Sequence, residues 1–207
     1  MYAESRLGRH LLICLRENSG WEIQKWSEGR TPKHAWLLSR LKDLRDRLSS
    51  WEQIRPEGLE IYEIRDGSHL GLYALPGGIV LIGGGLRACV DHSEQAELLL
   101  IHLLAHMALR HPLQLLLQEY SLHYVQEVSN SPQFRVALPM AFSVLTQVYP
   151  EKMESEADSL GFAWGFLNQE KASRRPEILS PCMEDPGEDD QISISLAHPA
   201  LVHVRKQ

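Results

Sequence analysis

The stretch from Ser93 to His111 reads SEQAELLLIHLLAHMALRH, and it is apolar on nearly every side of a predicted helix. Ser93 is a favourable N-cap residue, and Glu94 stands in the first turn, where a negative charge is stabilising. A helix that is hydrophobic all round belongs in the interior of a domain. We therefore predict a central buried helix from Glu94 to about Arg110.

Two histidines interrupt this apolar run in the pattern His102-Leu103-Leu104-Ala105-His106. Residues i and i+4 share one helical face, so both imidazoles can reach a single metal ion. The spacing alone is a weak signal, because two hydrogen-bonded core histidines would give the same pattern. At this point a metal site and a pair of core histidines both remain open.

A second polar cluster, Glu154-Ser155-Glu156-Ala157-Asp158, stands at the start of another predicted helix. Glu154 could supply a third ligand. Asp158, one turn further on the same face, could accept the outer ring N–H of a ligand histidine. Three protein ligands and one open position form the arrangement of catalytic zinc sites. The two clusters together favour a metal site much more than either does alone.

The segment before the buried helix predicts strands, because its apolar residues are separated by glycine-containing turns. Asp66-Gly67 is a hairpin signal, and Pro76-Gly77-Gly78 is a second turn. The three predicted strands are Leu59–Ile64, His69–Leu75 and Ile79–Ile82. These elements predict an α+β fold in which a small, mostly antiparallel sheet packs on several helices.

Other helices are predicted from apolar periodicity. They cover Glu4–Arg16 and residues 35–51, 113–128, 136–148 and 151–168. We divide the chain into an N-terminal extension (1–34), the main domain (35–168) and an acidic loop with a C-terminal segment that packs back on the domain (169–207).

Composition excludes some classes of partner. The 207 residues carry a net charge of −6, which argues against a nucleic-acid-binding surface. Three widely separated cysteines give neither a disulfide framework nor a Cys-x-x-Cys metal pair. No window reaches the ~18 apolar residues of a membrane span, and Leu11–Leu15 is too short for a signal-peptide core. By default we expect a cytoplasmic protein, whose oligomeric state the sequence does not indicate.

Four blocks of the sequence resemble the zinc metallopeptidases of the HtpX and CAAX-prenyl-protease type, which are gluzincins. The blocks are Tyr73–Leu81, Gly85-Leu86, Glu97–His111 with its trailing Arg-His, and Glu154–Asp158 followed by Leu160-Gly161. Their order and approximate separations also agree with the family, over about half of the chain. A later His198-Pro199 is similar to the family's His-Pro, although Arg205 stands one position late for the arginine that follows it.

The resemblance implies a gluzincin fold and one zinc ion. It implies that the ligands are His102, His106 and Glu154 and that Asp158 is hydrogen-bonded behind them. Candidate accessory groups are His198, Arg205 and His111, the last as a surface group or a partner of a ligand. It also implies that a peptide or protein binds by strand addition along residues 69–75.

Leu103 departs from the family, which has a glutamate at this position. That carboxylate takes a proton from metal-bound water and passes it to the leaving amine. Leucine can do neither, and general acid–base catalysis typically contributes ~10²–10⁴-fold. Neither Glu97 nor Glu156 is placed to replace it. A smaller departure is Gly71, where the family commonly has an asparagine.

Three functions remain open from the sequence. The first is a catalytically impaired homologue that binds zinc and acts by holding a peptide or protein. The second is an active metallopeptidase whose base is not evident from the sequence. The third is a structural module without a metal, in which the buried histidines would need other hydrogen-bond partners.

Overall fold

The structure is a computed structural model that describes residues 2–25, 44, 59–65, 71–84, 93–131, 134–146 and 148–164. Within these ranges the chain forms six helices and four strands. The helices are α1 (Tyr2–Asn18), α2 (Ser93–Ala108), α3 (His111–Glu119), α4 (Leu122–Asn130), α5 (Phe134–Thr146) and α6 (Glu151–Ala163). The strands are β1 (Ile23–Lys25), β2 (Glu60–Ile64), β3 (Leu72–Leu75) and β4 (Ile79–Gly83). The α+β class predicted from the sequence is confirmed.

The four strands form one mixed sheet in the order β1-β2-β4-β3. The β1–β2 and β3–β4 pairs are antiparallel, whereas β2 and β4 run parallel. The predicted hairpin between β2 and β3 is therefore wrong, because β4 lies between them; its Asp66-Gly67 turn is outside the described residues. The sequence of β4 explains its central place: all five residues of Ile79–Gly83 are buried, as expected for a strand covered on both faces.

Helices cover both faces of the sheet. Alternate residues of β3 point to opposite sides, so Leu72 and Ala74 join one apolar cluster while Tyr73 and Leu75 join another. The first cluster contains the buried side of α2 and parts of α6. The second contains α1, α4 and α5. The helix α2 is thus enclosed between the sheet and α6, which confirms the predicted central buried helix.

The helix α1 lies directly on the turn between β3 and β4. A Cβ atom at Gly8 would collide with the carbonyl oxygen of Pro76, so only glycine allows this approach. On the other side of the contact, Gly77 has φ +79° and lies against Ser5. The helix and β1 both fall within the predicted N-terminal extension, yet they pack on the sheet and extend it.

The predicted helix over residues 113–128 is two helices. They are separated at Tyr120 and Ser121, and Ser121 caps α4 because its hydroxyl accepts from the backbone N–H of Tyr124 at 3.3 Å. The helices α5 and α6 correspond to the predictions for 136–148 and 151–168, with small differences at their ends. The predicted helix 35–51 (except Leu44, which is buried) and the segment 169–207 lie outside the described residues.

None of the helices in the described ranges combines the length and apolar character that crossing a membrane requires.

Candidate metal centre

The helices α2 and α6 bring His102, His106 and Glu154 together in the interior. All three residues are buried, and one ligand atom from each lies within 4.8 Å of the others. The Nε2 atoms of the two histidines are 2.9 Å apart. The carboxylate of Glu154 lies 3.0 Å from Nε2 of His102 and 3.5 Å from Nε2 of His106. Two ring nitrogens and one carboxylate therefore converge on one point.

These separations fit a single divalent ion. Ligand atoms bound tetrahedrally to zinc at about 2.0–2.1 Å lie about 3.3 Å from one another. The observed separations of 2.9, 3.0 and 3.5 Å lie on either side of this value, the last two being measured to different oxygens of Glu154. Two imidazoles and a carboxylate also match the donor types that zinc accepts. The residues present are therefore able to hold a metal ion with little rearrangement.

Asp158 determines which nitrogen of His102 faces the cluster. Its Oδ1 lies 2.8 Å from Nδ1 of His102, and an ionised carboxylate only accepts hydrogen bonds. The Nδ1 atom therefore carries the proton and donates, which leaves the lone pair of Nε2 directed inward. This is the tautomer that a metal ligand needs.

Burial keeps His106 neutral. The ring has no solvent exposure, and this desolvation lowers the pKa of His106 to about 4, although the nearby carboxylate of Glu154 acts in the opposite direction. Only a neutral imidazole has a free lone pair for a metal. Near pH 7 the ring is thus already in the form that coordinates an ion.

His111 lies behind His106 and is itself fully buried, not at the surface. The helix α2 ends at Ala108, and Arg110 takes a left-handed conformation with φ 59°, so the chain turns and α3 begins at His111. This turn places Nδ1 of His111 at 2.8 Å from Nδ1 of His106. On its other side, Nε2 of His111 lies 3.2 Å from Oε2 of Glu156. The ring is outside the ligand group but in contact with it.

Tyr149 is a site residue that the sequence interpretation missed. Its ring stacks on His106 with a centroid separation of 3.9 Å and an interplanar angle of 21°. Burial, together with the charge of Glu154, raises the pKa of Tyr149. The residue precedes α6 in a short non-helical segment, where no periodicity could reveal which way it points. The only signal was its position just before the helix that supplies Glu154.

Leu103 contributes no polar atom to the cluster. Its side chain is 1% exposed and belongs to the apolar cluster formed by α2, α6 and one face of the sheet. The other predicted accessory groups, His198 and Arg205, lie outside the described residues, and so does the side chain of Glu97. Of the predicted site residues, the structure brings together His102, His106, Glu154, Asp158 and His111.

Comparison of the sequence with models of known protein families gives no match, and comparison with curated proteins gives none.

Proposed function

We propose that this chain is a zinc-binding homologue of the HtpX-like metallopeptidases that has lost efficient peptide hydrolysis and acts by binding a peptide or protein. The observation that carries the proposal is the convergence of His102, His106 and Glu154 in a buried position. Polar side chains are rarely buried together in a core unless they are paired or hold an ion. The order of the matching sequence blocks gives independent support.

The residues would have different roles in such a site. His102, His106 and Glu154 would hold the ion, and Asp158 would keep His102 in the ligating tautomer. A bound zinc ion supplies Lewis acidity, which polarises a carbonyl group and lowers the pKa of bound water. Leu103 can accept no proton, so the group that completes hydrolysis is missing at the position where the family has its glutamate. The remaining capacity is binding.

The sheet supports the peptide-binding half of the proposal. The strand β3 is last in the strand order of the described sheet, and it packs beside α2, which carries the histidines. An extended peptide can add to an end strand through main-chain hydrogen bonds. A peptide bound there would run along the strand that packs against the histidine-bearing helix.

Zinc stoichiometry tests the metal-binding part of the proposal. Protein stripped with a chelator and dialysed against zinc should retain one ion per chain, measured by mass spectrometry of the metal. His106→Ala should lose it. His123→Ala is the matched control, because His123 is an exposed histidine on α4. Retention of zinc by His106→Ala, or none in the parent, would contradict the proposal.

The second candidate is an active metallopeptidase, favoured by the complete His-His-Glu ligand set. Casein cleavage by zinc-loaded parent and Leu103→Glu proteins separates the two functions. Cleavage by the parent that disappears in His102→Ala supports the active enzyme. No cleavage by the parent, with a gain in Leu103→Glu, supports the impaired homologue.

A further inference from the structure

The two ligand histidines are supported in different ways. His102 contacts a carboxylate, that of Asp158, directly. His106 contacts the imidazole of His111 instead, and that imidazole contacts the carboxylate of Glu156. The result is a chain of three side chains, drawn from α2, α3 and α6, that ends at a partly exposed carboxylate.

Which atom donates and which accepts in this series of three side chains follows from Glu156, at its exposed end. Glu156 as a carboxylate accepts, so Nε2 of His111, at 3.2 Å, carries a proton and donates. A neutral imidazole has only one N–H, so Nδ1 of His111 must then accept. Its partner at 2.8 Å is Nδ1 of His106, which therefore donates. The remaining nitrogen of His106, Nε2, then carries no proton, and its lone pair faces Nε2 of His102 at 2.9 Å and Glu154 at 3.5 Å, where an ion would accept it.

We propose that His111 and Glu156 are positioning residues, which form a relay that fixes His106 as its Nδ1–H tautomer and directs Nε2 at the metal. This inference rests on the proposed metal binding. A carboxylate that acts through an intervening imidazole does for His106 what Asp158 does for His102. Such outer partners typically change metal affinity by ~10–100-fold when they are removed.

Two further contacts hold the relay in place. The left-handed Arg110 makes the turn that returns His111 to the site, and its guanidinium pairs with Glu4 of α1 at 2.9 Å. The ring of Tyr149 stacks on His106 and restricts its rotation. A histidine that only filled space would need neither a buried hydrogen bond to a ligand nor a carboxylate at its other nitrogen.

The tautomer can be observed without any metal. In metal-free protein labelled with ¹⁵N in histidine, long-range ¹H–¹⁵N spectra should show His106 protonated at Nδ1, and His111 at Nε2. In His111→Phe the preference of His106 for the Nδ1–H tautomer should be lost. An Nε2–H form of His106 in the parent would overturn the relay, whether or not the protein binds zinc.

Metal affinity gives the second test, by competition with a chromophoric chelator. His111→Phe keeps a ring but removes both nitrogens, and should weaken zinc binding by ~10–100-fold. His111→Asn places an amide oxygen near the lost Nδ1 and should recover much of the affinity. Equal affinity of His111→Phe and the parent would overturn the proposal.

Glu156 provides a variant that should fold in any case, because its side chain is 44% exposed. Glu156→Ala should weaken zinc binding several-fold. Its surface pair with Lys152, at 3.8 Å, contributes little. Glu151→Ala is the matched control, an exposed acid on the same helix. If the two variants bind zinc equally well, Glu156 has no part in the relay. A parent that binds no zinc would refute the proposed function and leave the tautomer result to be judged by itself.

Discussion

Oδ1 of Asp158 lies 2.8 Å from Nδ1 of His102, although the two residues are 56 positions apart in the sequence. The contact joins α6 to α2 beside the point where the three candidate ligands meet. It orients the ring of His102 before any ion arrives. A ligand that is already oriented loses less conformational freedom when it binds.

Replacing Asp158 should therefore weaken metal binding. Asp158→Ala removes the acceptor, and we expect zinc affinity to fall by ~10–100-fold. Chelator competition measures the change. Ser155→Ala, at an exposed position of the same helix, should leave the affinity unchanged. An Asp158→Ala protein that binds as tightly as the Ser155→Ala control would argue against this role.

Replacing Leu103 by glutamate should destabilise the metal-free protein. The variant loses the packing of a side chain that is 1% exposed and places a carboxyl group in an apolar cluster. We expect the free energy of unfolding to fall by about 2–5 kcal/mol. Urea denaturation in the presence of a chelator gives the value. Leu103→Met, which keeps the volume, should cost less than about 1.5 kcal/mol. Similar costs for the two would mean that position 103 is not enclosed.

Gly8→Ala tests the contact between α1 and the turn after β3. Alanine is the better helix former, so at an open position the change would stabilise α1. Here the new methyl group meets the carbonyl of Pro76, and we expect a loss of about 1–3 kcal/mol. Thermal and urea unfolding both report it. Glu17→Ala, an exposed substitution in the same helix, should change stability by less than about 0.5 kcal/mol.

Acid should destabilise the metal-free protein through His106. Its pKa is about 4 when folded, below the ordinary value of 6.5 that it has when unfolded. Above pH 6.5 neither state binds the proton, and the full stability is present. As the pH falls from 6.5 towards 4 the unfolded state gains the proton first, so stability falls by up to about 1.4 kcal/mol per pH unit. His111, whose pKa is also lowered by burial, adds to the same slope.

Urea midpoints at several pH values measure this slope. His106→Phe should flatten it, because the titrating ring is gone. His123→Gln, which replaces an exposed histidine, should not. An equal slope in the parent and in His106→Phe would show that other groups are responsible.

The candidate ligand residues were predictable because their signal is local. His102 and His106 are one helical turn apart, and Glu154 and Asp158 repeat that spacing on a second helix. The proposed relay was harder to predict from the sequence. Where the ring of His111 lies depends on the left-handed Arg110, and a non-glycine residue in that conformation gives no sequence signal.

The pairing of the strands could not be predicted from local sequence patterns either. Each of β2, β3 and β4 was found from its own pattern, but the parallel pairing of β2 with β4 depends on contacts between residues distant in sequence. The Asp66-Gly67 signal suggested a hairpin that the tertiary structure does not use. The strand β1, with only Ile23–Lys25, is too short to produce a pattern.

The helices α3, α4 and α5 all lie between the two histidines and Glu154 along the chain. An ion held by all three ligands would join α6 to α2. The helix α6 could then not separate from α2 while the ion stays bound. Local opening would then be governed by the chelation equilibrium. Amide hydrogens of α6 would exchange slowly in the loaded protein and quickly after metal removal, while those of β4 would change little. The free energy needed to open α6 would then rise with the concentration of free metal.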